Sequence, residues 1–184
     1  KQKIYDFNQL PPSRQSKEAP QMIKNIFGKT GENVWVEAPF HCDYGWNIEV
    51  GENFYSNYNL TILDVGKVTC GKNVQIAPNV SIYTAGHPVH PDSRNSGYEY
   101  GIPVTVGDNV WIGGNTVILP GVTVGSNVVI GAGSVVSKDI PDNTIVAGNP
   151  CKVIREITDE DRIYYFKKQK FDDEAWEEVK NKNK

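Results

Sequence analysis

The sequence predicts a mainly β chain wound as a parallel β-helix, and three observations carry that expectation. Written in sixes from Val106, the chain reads VGDNVW, IGGNTV, ILPGVT, VGSNVV, IGAGSV, VSKDIP. Every first letter is aliphatic: Val106, Ile112, Ile118, Val124, Ile130 and Val136. Every fifth is small or β-branched: Val110, Thr116, Val122, Val128, Ser134 and Ile140. A helix returns to its own face after about 3.6 residues and a strand after about 2, so a strict period of six fits neither and implies a repeating short strand and turn. Three sixes make one triangular coil, and stacked coils bury a continuous core that no single coil buries alone. An antiparallel sandwich with regular turns is the competing architecture, and the length of unbroken phase argues against it.

The same phase runs upstream. CGKNVQ and IAPNVS are led by Cys70 and Ile76 with Ile82 following, and VGENFY and SNYNLT by Val50 and Ser56 with Ile62 following. Eight residues separate Ile62 from Cys70, so the register slips by two there. The second or fourth position is often glycine or asparagine (Gly51, Asn53, Gly71, Asn73, Gly107, Asn109, Gly125, Asn127), residues expected to supply the positive φ of tight corners.

Three segments follow from this pattern: an N-terminal helical segment over 1–30, the β-helix over 31–150 with an inserted loop at 85–101, and a C-terminal helical segment and tail over 151–184. The loop, AGHPVHPDSRNSGYEYG, is polar and turn-rich and interrupts the sixes between Ile82 and Val106. Loops of that length in a compact domain are commonly functional. In the first segment, Ser16 to Phe27 predicts a helix with Met22, Ile23, Ile26 and Phe27 on one stripe and Gly28 as its stop. In the last, Thr158-Asp159-Glu160-Asp161 predicts a second helix, with Ile163, Tyr164 and Phe166 packing behind it. Phe171 to Lys184 reads as a third helix around Trp176 or a loose tail. Caps at both ends would cover the open strand edges of the coil.

Composition narrows the function. At 184 residues the chain is one domain's worth, and 39% hydrophobic against 22% charged residues excludes a disordered, collagen-like or coiled-coil chain. The net charge of −3 removes the basic field that nucleic acid or an anionic membrane would need, so neither is an expected partner. The most apolar stretch, Val128 to Val136, is broken by Gly131, Gly133 and Ser134 and falls far short of the ~20 residues that span a bilayer. The opening Lys1-Gln2-Lys3-Ile4-Tyr5-Asp6 has no signal-peptide core, and the expected setting is cytoplasmic. Cys42, Cys70 and Cys151, odd in number and without C-x-x-C spacing, read as reduced, core-filling thiols.

The hexapeptide repeat, the loop containing GHPVH, the run GDNVWIGG, then GAGSVVSKDIPDN and the ending IVAGNPCKVIREI together resemble the sugar O-acetyltransferases typified by the galactoside and maltose enzymes. The likeness runs from Ile4-Tyr5-Asp6-Phe7-Asn8 to about Phe166. It implies a left-handed β-helix, a homotrimer with active sites between neighbouring subunits, acetyl-CoA as co-substrate and a small-molecule sugar acceptor. The family's catalytic histidine falls on His87, first of His87-Pro88-Val89-His90, and an imidazole titrates in the range a general base for hydroxyl attack requires. Glu99 matches an acidic residue of the maltose-type loop that orients the base or binds acceptor. His90 orients the loop, faces solvent or takes a direct catalytic part, and His41 is a packing or acceptor-side residue.

By the same resemblance, Gly114, Ala132, Ser137, Lys138 and Arg155 line the cofactor groove, with Trp111 beside the pantetheine arm and Lys152 among the local cations an acidic protein needs for an anionic cofactor. A backbone N–H of the Gly113-Gly114 pair is the expected oxyanion donor. The acceptor positions are Asp43, Tyr55 and Asn57. This chain departs from the galactoside enzyme where Asp43 replaces a serine and Val65, in Asp64-Val65-Gly66, replaces an acidic residue.

Other classes fit less well. Cys70 or Cys151 as nucleophile would need a neighbouring base that the sequence does not supply. A zinc site of the γ-carbonic-anhydrase kind would have to gather His41, His87 and His90 from distant positions, so no metal is expected. A non-catalytic trimeric scaffold leaves the His87 loop unexplained, and an antibiotic or amino-sugar acceptor is the main rival within acetyltransferases.

Overall fold

The computed structural model describes residues 1–182. Its coil strands lie in three sheets, paired in parallel, that form the faces of a triangular prism. The first face stacks Val34–Val36, Phe54–Ser56, Gln75–Ile76, Trp111–Ile112, Val129–Ile130 and Thr144–Ala147. The second stacks Phe40–Cys42, Leu60–Leu63, Ser81–Tyr83, Val117–Ile118 and Val135–Val136. The third stacks Ile48–Val50, Val68–Cys70, Val104–Val106 and Thr123–Val124. The chain visits first, second and third face in turn, so each residue pairs with the one a full coil away, as in Trp111 with Gln75 and Val129.

The side chains expected inside are inside. Val106, Ile112, Ile118, Val124, Ile130 and Val136 are buried, as are Val110, Thr116, Val122, Val128, Ser134 and Ile140. The asparagine corners also turn as expected, with φ between 55° and 61° from Asn53 through Asn59, Asn73, Asn79, Asn109, Asn115 and Asn127 to Asn143. On the third-to-first edge their amides form a ladder, each Nδ2 donating to the next Oδ1 at 2.8–2.9 Å from Asn53 through Asn73, Asn109 and Asn127 to Asn143.

The glycines at these corners serve a different purpose from the one expected. Gly51, Gly71, Gly107 and Gly125 do not have positive φ. Their backbones lie against the next coil: a Cβ on Gly71 would stand 2.1 Å from Asp108 Oδ1 and 2.8 Å from the Gly107 carbonyl carbon. Close stacking, rather than a left-handed turn, excludes a side chain there.

Both terminal segments differ from the expectation. Helix α1 (Gln2–Asn8), which the periodicity did not predict, precedes α2 (Pro12–Ile26), which starts earlier than Ser16. Ile4, Phe7, Ala19, Ile23 and Ile26 are buried against the first coil, and the Asn8 amide exchanges two 2.8 Å hydrogen bonds with the Phe40 backbone, occupying that strand edge as another strand would. Gly28 is not a left-handed helix stop; a Cβ there would meet the Trp46 carbonyl oxygen at 2.1 Å. At the other end, Lys152–Glu156 turns back antiparallel to Thr144–Ala147. Thr158 opens only a short 3-10 turn, Asp159–Ile163, because the chain then extends into a hairpin of Tyr164–Phe166 with Gln169–Lys170. Ile163 and Phe166 are exposed rather than packed. Helix α4 (Asp173–Lys182) follows, its Trp176 stacked on Phe171 at 6.1 Å; the last two residues of the expected tail lie outside the described residues. Among the described residues no helix is long and apolar enough to cross a membrane.

Candidate active site

The inserted loop leaves the second-to-third edge after Ser81–Tyr83. Ala85–Gly86 pairs antiparallel with Tyr100–Gly101, so the loop is a hairpin stem with a displayed tip. Its short helix α3 (Pro91–Asn95) is capped by His90, whose Nδ1 accepts the Asp92 N–H at 3.2 Å. Arg94 ties the tip together by donating to the Val89 carbonyl at 2.8 Å. The His90 side chain thus caps this helix and is also largely exposed.

His87 stands half-exposed on this scaffold. Its Nδ1 lies 3.0 Å from the Tyr98 carbonyl oxygen, and a carbonyl only accepts, so Nδ1 carries the proton and donates. In the neutral ring Nε2 then holds the free lone pair. Glu99 Oε1 lies 3.9 Å from that same Nε2, so the structure brings the two loop residues together. The Tyr98 carbonyl was not legible beforehand, because any residue type supplies one.

Asp43 sits on the same second-to-third edge. Its carboxylate is 3.8 Å from the Lys1 ammonium and borders an open cleft of about 390 Å³ lined by Lys1, Ile4, Tyr5, Asn8 and His41. His41 points out of its strand into this cleft, so of its two expected roles packing is excluded. Ser137 and Lys138 lie farther along this edge, both exposed.

Tyr55, Asn57, Trp111, Gly114 and Ala132 lie elsewhere in the chain. Tyr55 and Trp111 project from the first face, and burial together with the nearby Glu37 carboxylate raises the Tyr55 phenol above its usual range. Asn57, Gly114 and Ala132 stack along the first-to-second edge, where Asn57 Oδ1 accepts the Tyr58 N–H at 2.7 Å and Gly133 N donates to the Gly114 carbonyl at 2.8 Å. A face of about five extended residues is roughly 16 Å wide, so the first-to-second edge and the edge from which the His87 loop rises are about that far apart within one chain.

The first-to-second edge carries small residues at Gly113, Gly114, Gly131, Ala132 and Gly133. Gly133 has φ +73° and open space where a Cβ would stand. Gly113 N–H is spent on the Ile130 carbonyl at 2.8 Å, whereas the Gly114 N–H has no backbone acceptor among the described residues. Lys152 is exposed on the closing strand, but Arg155 is engaged: its guanidinium holds Asp161 bidentately at 2.6 and 2.8 Å. That ion pair first, and the Thr158 N–H second, pull the Asp161 carboxyl down to about 2. Burial pushes the Cys42 and Cys70 thiols up to about 12, so neither supplies a thiolate nucleophile near neutral pH.

A prism of stacked sixes with a histidine-bearing hairpin at one edge defines the hexapeptide class of transferases. A family model described as bacterial transferase hexapeptide (six repeats) matches residues 103–138. The chain is 54% identical over 167 residues to the galactoside O-acetyltransferase of Escherichia coli K12, spanning 91% of this chain and 82% of that protein. It is 42% identical over 167 residues to the galactoside O-acetyltransferase of Lactococcus lactis, spanning 90% and 80%. Among solved structures, a galactoside acetyltransferase in complex with coenzyme A superposes with a TM-score of 0.90 at 53% identity, over 93% of this chain and 85% of that one. A maltose O-acetyltransferase from Clostridium difficile 630 does so with a TM-score of 0.84 at 52% identity, over 86% and 84%. The chain belongs to the hexapeptide-repeat sugar O-acetyltransferase family, and it is an O-acetyltransferase of that family.

Proposed function

We propose that this protein moves the acetyl group of acetyl-CoA directly onto a hydroxyl of a sugar or glycoside, with His87 as the general base. The observation that carries this reading is the 3.0 Å hydrogen bond from His87 Nδ1 to the Tyr98 carbonyl, which fixes the tautomer with Nε2 as acceptor. As the acceptor oxygen bonds to the thioester carbon, Nε2 takes the hydroxyl proton, and the Glu99 carboxylate 3.9 Å away steadies the imidazolium. The Gly114 N–H meets the developing oxyanion. The C–S bond then breaks and the proton on His87 passes to the departing sulfur. The ring returns to its starting state, and no covalent enzyme intermediate is needed.

Acetyl-CoA fits the edge of small residues at Gly114 and Ala132, with Trp111 beside the pantetheine arm, Ser137 and Lys138 along the groove and Lys152 offering charge to the phosphates. Arg155 joins them only by sharing or releasing Asp161. Asp43, Tyr55 and Asn57 recognise the acceptor. His87 rises from the second-to-third edge while Trp111 projects from the first face and Gly114 lies on the first-to-second edge, so a complete site draws on two chains, as a homotrimer with sites between subunits would provide. A cytoplasmic setting supplies acetyl-CoA and suits three unpaired cysteines. An amino-sugar acceptor is the second reading, favoured by the Asp43 carboxylate already lying 3.8 Å from an ammonium group.

The test is thiol release from acetyl-CoA against glucosides, galactosides, maltose, amino sugars and streptogramins, with the product's acetyl linkage identified by mass spectrometry. An ester on a neutral sugar supports the proposal. Acetylation only of amines supports the second reading, and failure of the protein to bind acetyl-CoA contradicts both.

A further inference from the structure

The second-to-third edge holds a column of buried polar side chains that the proposed chemistry does not use. Asp64, wholly buried, accepts three successive backbone N–H groups of the coil below: Asp43 and Tyr44 at 2.9 Å on Oδ1, and Gly45 at 2.7 Å on Oδ2. Its own carbonyl accepts Asn47 Nδ2 at 2.7 Å. One coil further on, Thr84, also wholly buried, donates its hydroxyl to the Leu63 carbonyl at 2.6 Å and accepts the Gly66 N–H at 2.8 Å. The Thr84 carbonyl accepts the N–H of Ile102, the residue on which the His87 loop returns, at 2.8 Å. Gly66 and Gly101 touch backbone to backbone, since a Cβ on Gly101 would lie 2.7 Å from Gly66 N.

A carboxylate taken wholly out of water must be met by donors, and each of these N–H groups must likewise find an acceptor. An apolar residue would pack this corner but leave three N–H groups of the Asp43–Gly45 turn unsatisfied. The geometry points to Asp64 as a positioning residue for acceptor binding: it fixes the turn that displays Asp43 and, through Thr84, sets that turn's position relative to the stem carrying His87. The inference rests on the reading of Asp43 as an acceptor contact. Asp64 touches no substrate and acts through the turn. Its amide analogue would keep the Oδ1 bonds and point an NH₂ group at the Gly45 N–H, loosening one end of the turn without emptying the corner.

The test is steady-state kinetics on full-length Asp64→Asn, Thr84→Val, Thr84→Ser and Asp43→Ala, with p-nitrophenyl galactoside as acceptor or the best acceptor found above. Asp64→Asn is expected to raise the acceptor KM about tenfold while the acetyl-CoA KM stays within twofold. Thr84→Val is expected to do the same, and Thr84→Ser, which keeps the hydroxyl, to restore it. If Asp43→Ala raises the acceptor KM but Asp64→Asn and Thr84→Val do not, the positioning role is overturned and the acceptor site stands. If Asp43→Ala leaves the acceptor KM unmoved, the acceptor reading fails and the inference with it. A variant that raises both KM values together, with a lowered Tm, marks Asp64 as merely structural and overturns the proposal.

Discussion

His87 donates from Nδ1 to the Tyr98 carbonyl at 3.0 Å, while Glu99, the next residue along the chain, places its carboxylate 3.9 Å from the opposite ring nitrogen. Two adjacent residues thus flank one imidazole, Tyr98 through a backbone hydrogen bond and Glu99 through a carboxylate beyond hydrogen-bond distance. The two contacts have different consequences. The backbone contact sets the tautomer, and the carboxylate acts once the ring is charged. Glu99→Gln should therefore lower kcat while leaving the acetyl-CoA KM unchanged, and by less than loss of His87 itself. Equal losses in the two variants would show that the carboxylate does more than steady the charged ring.

The asparagine ladder separates two contributions at one residue. Asn109→Ala must hold φ near +57° without the side chain that tolerates it, at a cost of about 1–2 kcal/mol, and also loses its ladder bonds. Asn109→Gly keeps the backbone conformation and loses only the ladder, worth about 0.5–1.5 kcal/mol. Denaturant unfolding should place glycine between asparagine and alanine.

Gly71→Ala tests close stacking, because its Cβ would enter the space of Asp108 Oδ1 and the Gly107 backbone. Strain of about 1–3 kcal/mol is expected, read as a lower denaturant midpoint at unchanged m-value. Full stability would mean the coils can part without penalty.

Asp161 predicts an acid-side effect. Its carboxyl is drawn down to about 2 from its usual 3.8, by Arg155 first. The folded state therefore binds this proton less readily than the unfolded chain. The pair's contribution is full above about pH 4 and is lost as pH falls toward 2. The pair lies at the surface, so its contribution is small and screened by salt. Asp161→Asn should flatten the fall in Tm between pH 5 and pH 2.5, and an unchanged slope would contradict the pairing.

Much of the fold was legible because the period of six states which side chain faces inward, and from Val106 to Ile140 it did so at each first and fifth position. The corner asparagines were legible for the same reason. The corner glycines were misread, because an inward packing clash and a left-handed turn select the same residue. The Thr158 segment misled through its acidic start, which suits a 3-10 turn as well as an α-helix; Tyr164 and Phe166 then favoured extension. That His87 and Glu99 share the inserted loop was legible through a motif. Asp64 and Thr84 were not, because their roles arise between coils 18 to 21 residues apart, and a lone Asp beside a slip in the repeat carries no such signal.

Light scattering addresses the assembly. The proposed homotrimer predicts a mass three times that of the 20.5 kDa chain. An active monomer would contradict sites shared between chains.

The most direct measurement of the central claim is the rate of thiol release from acetyl-CoA with a working glycoside acceptor, compared between the intact protein and His87→Ala. The account predicts a fall in kcat of about 10²–10⁴-fold with the acetyl-CoA KM preserved. A His87→Ala enzyme that keeps its kcat would show that the acceptor proton leaves by another route.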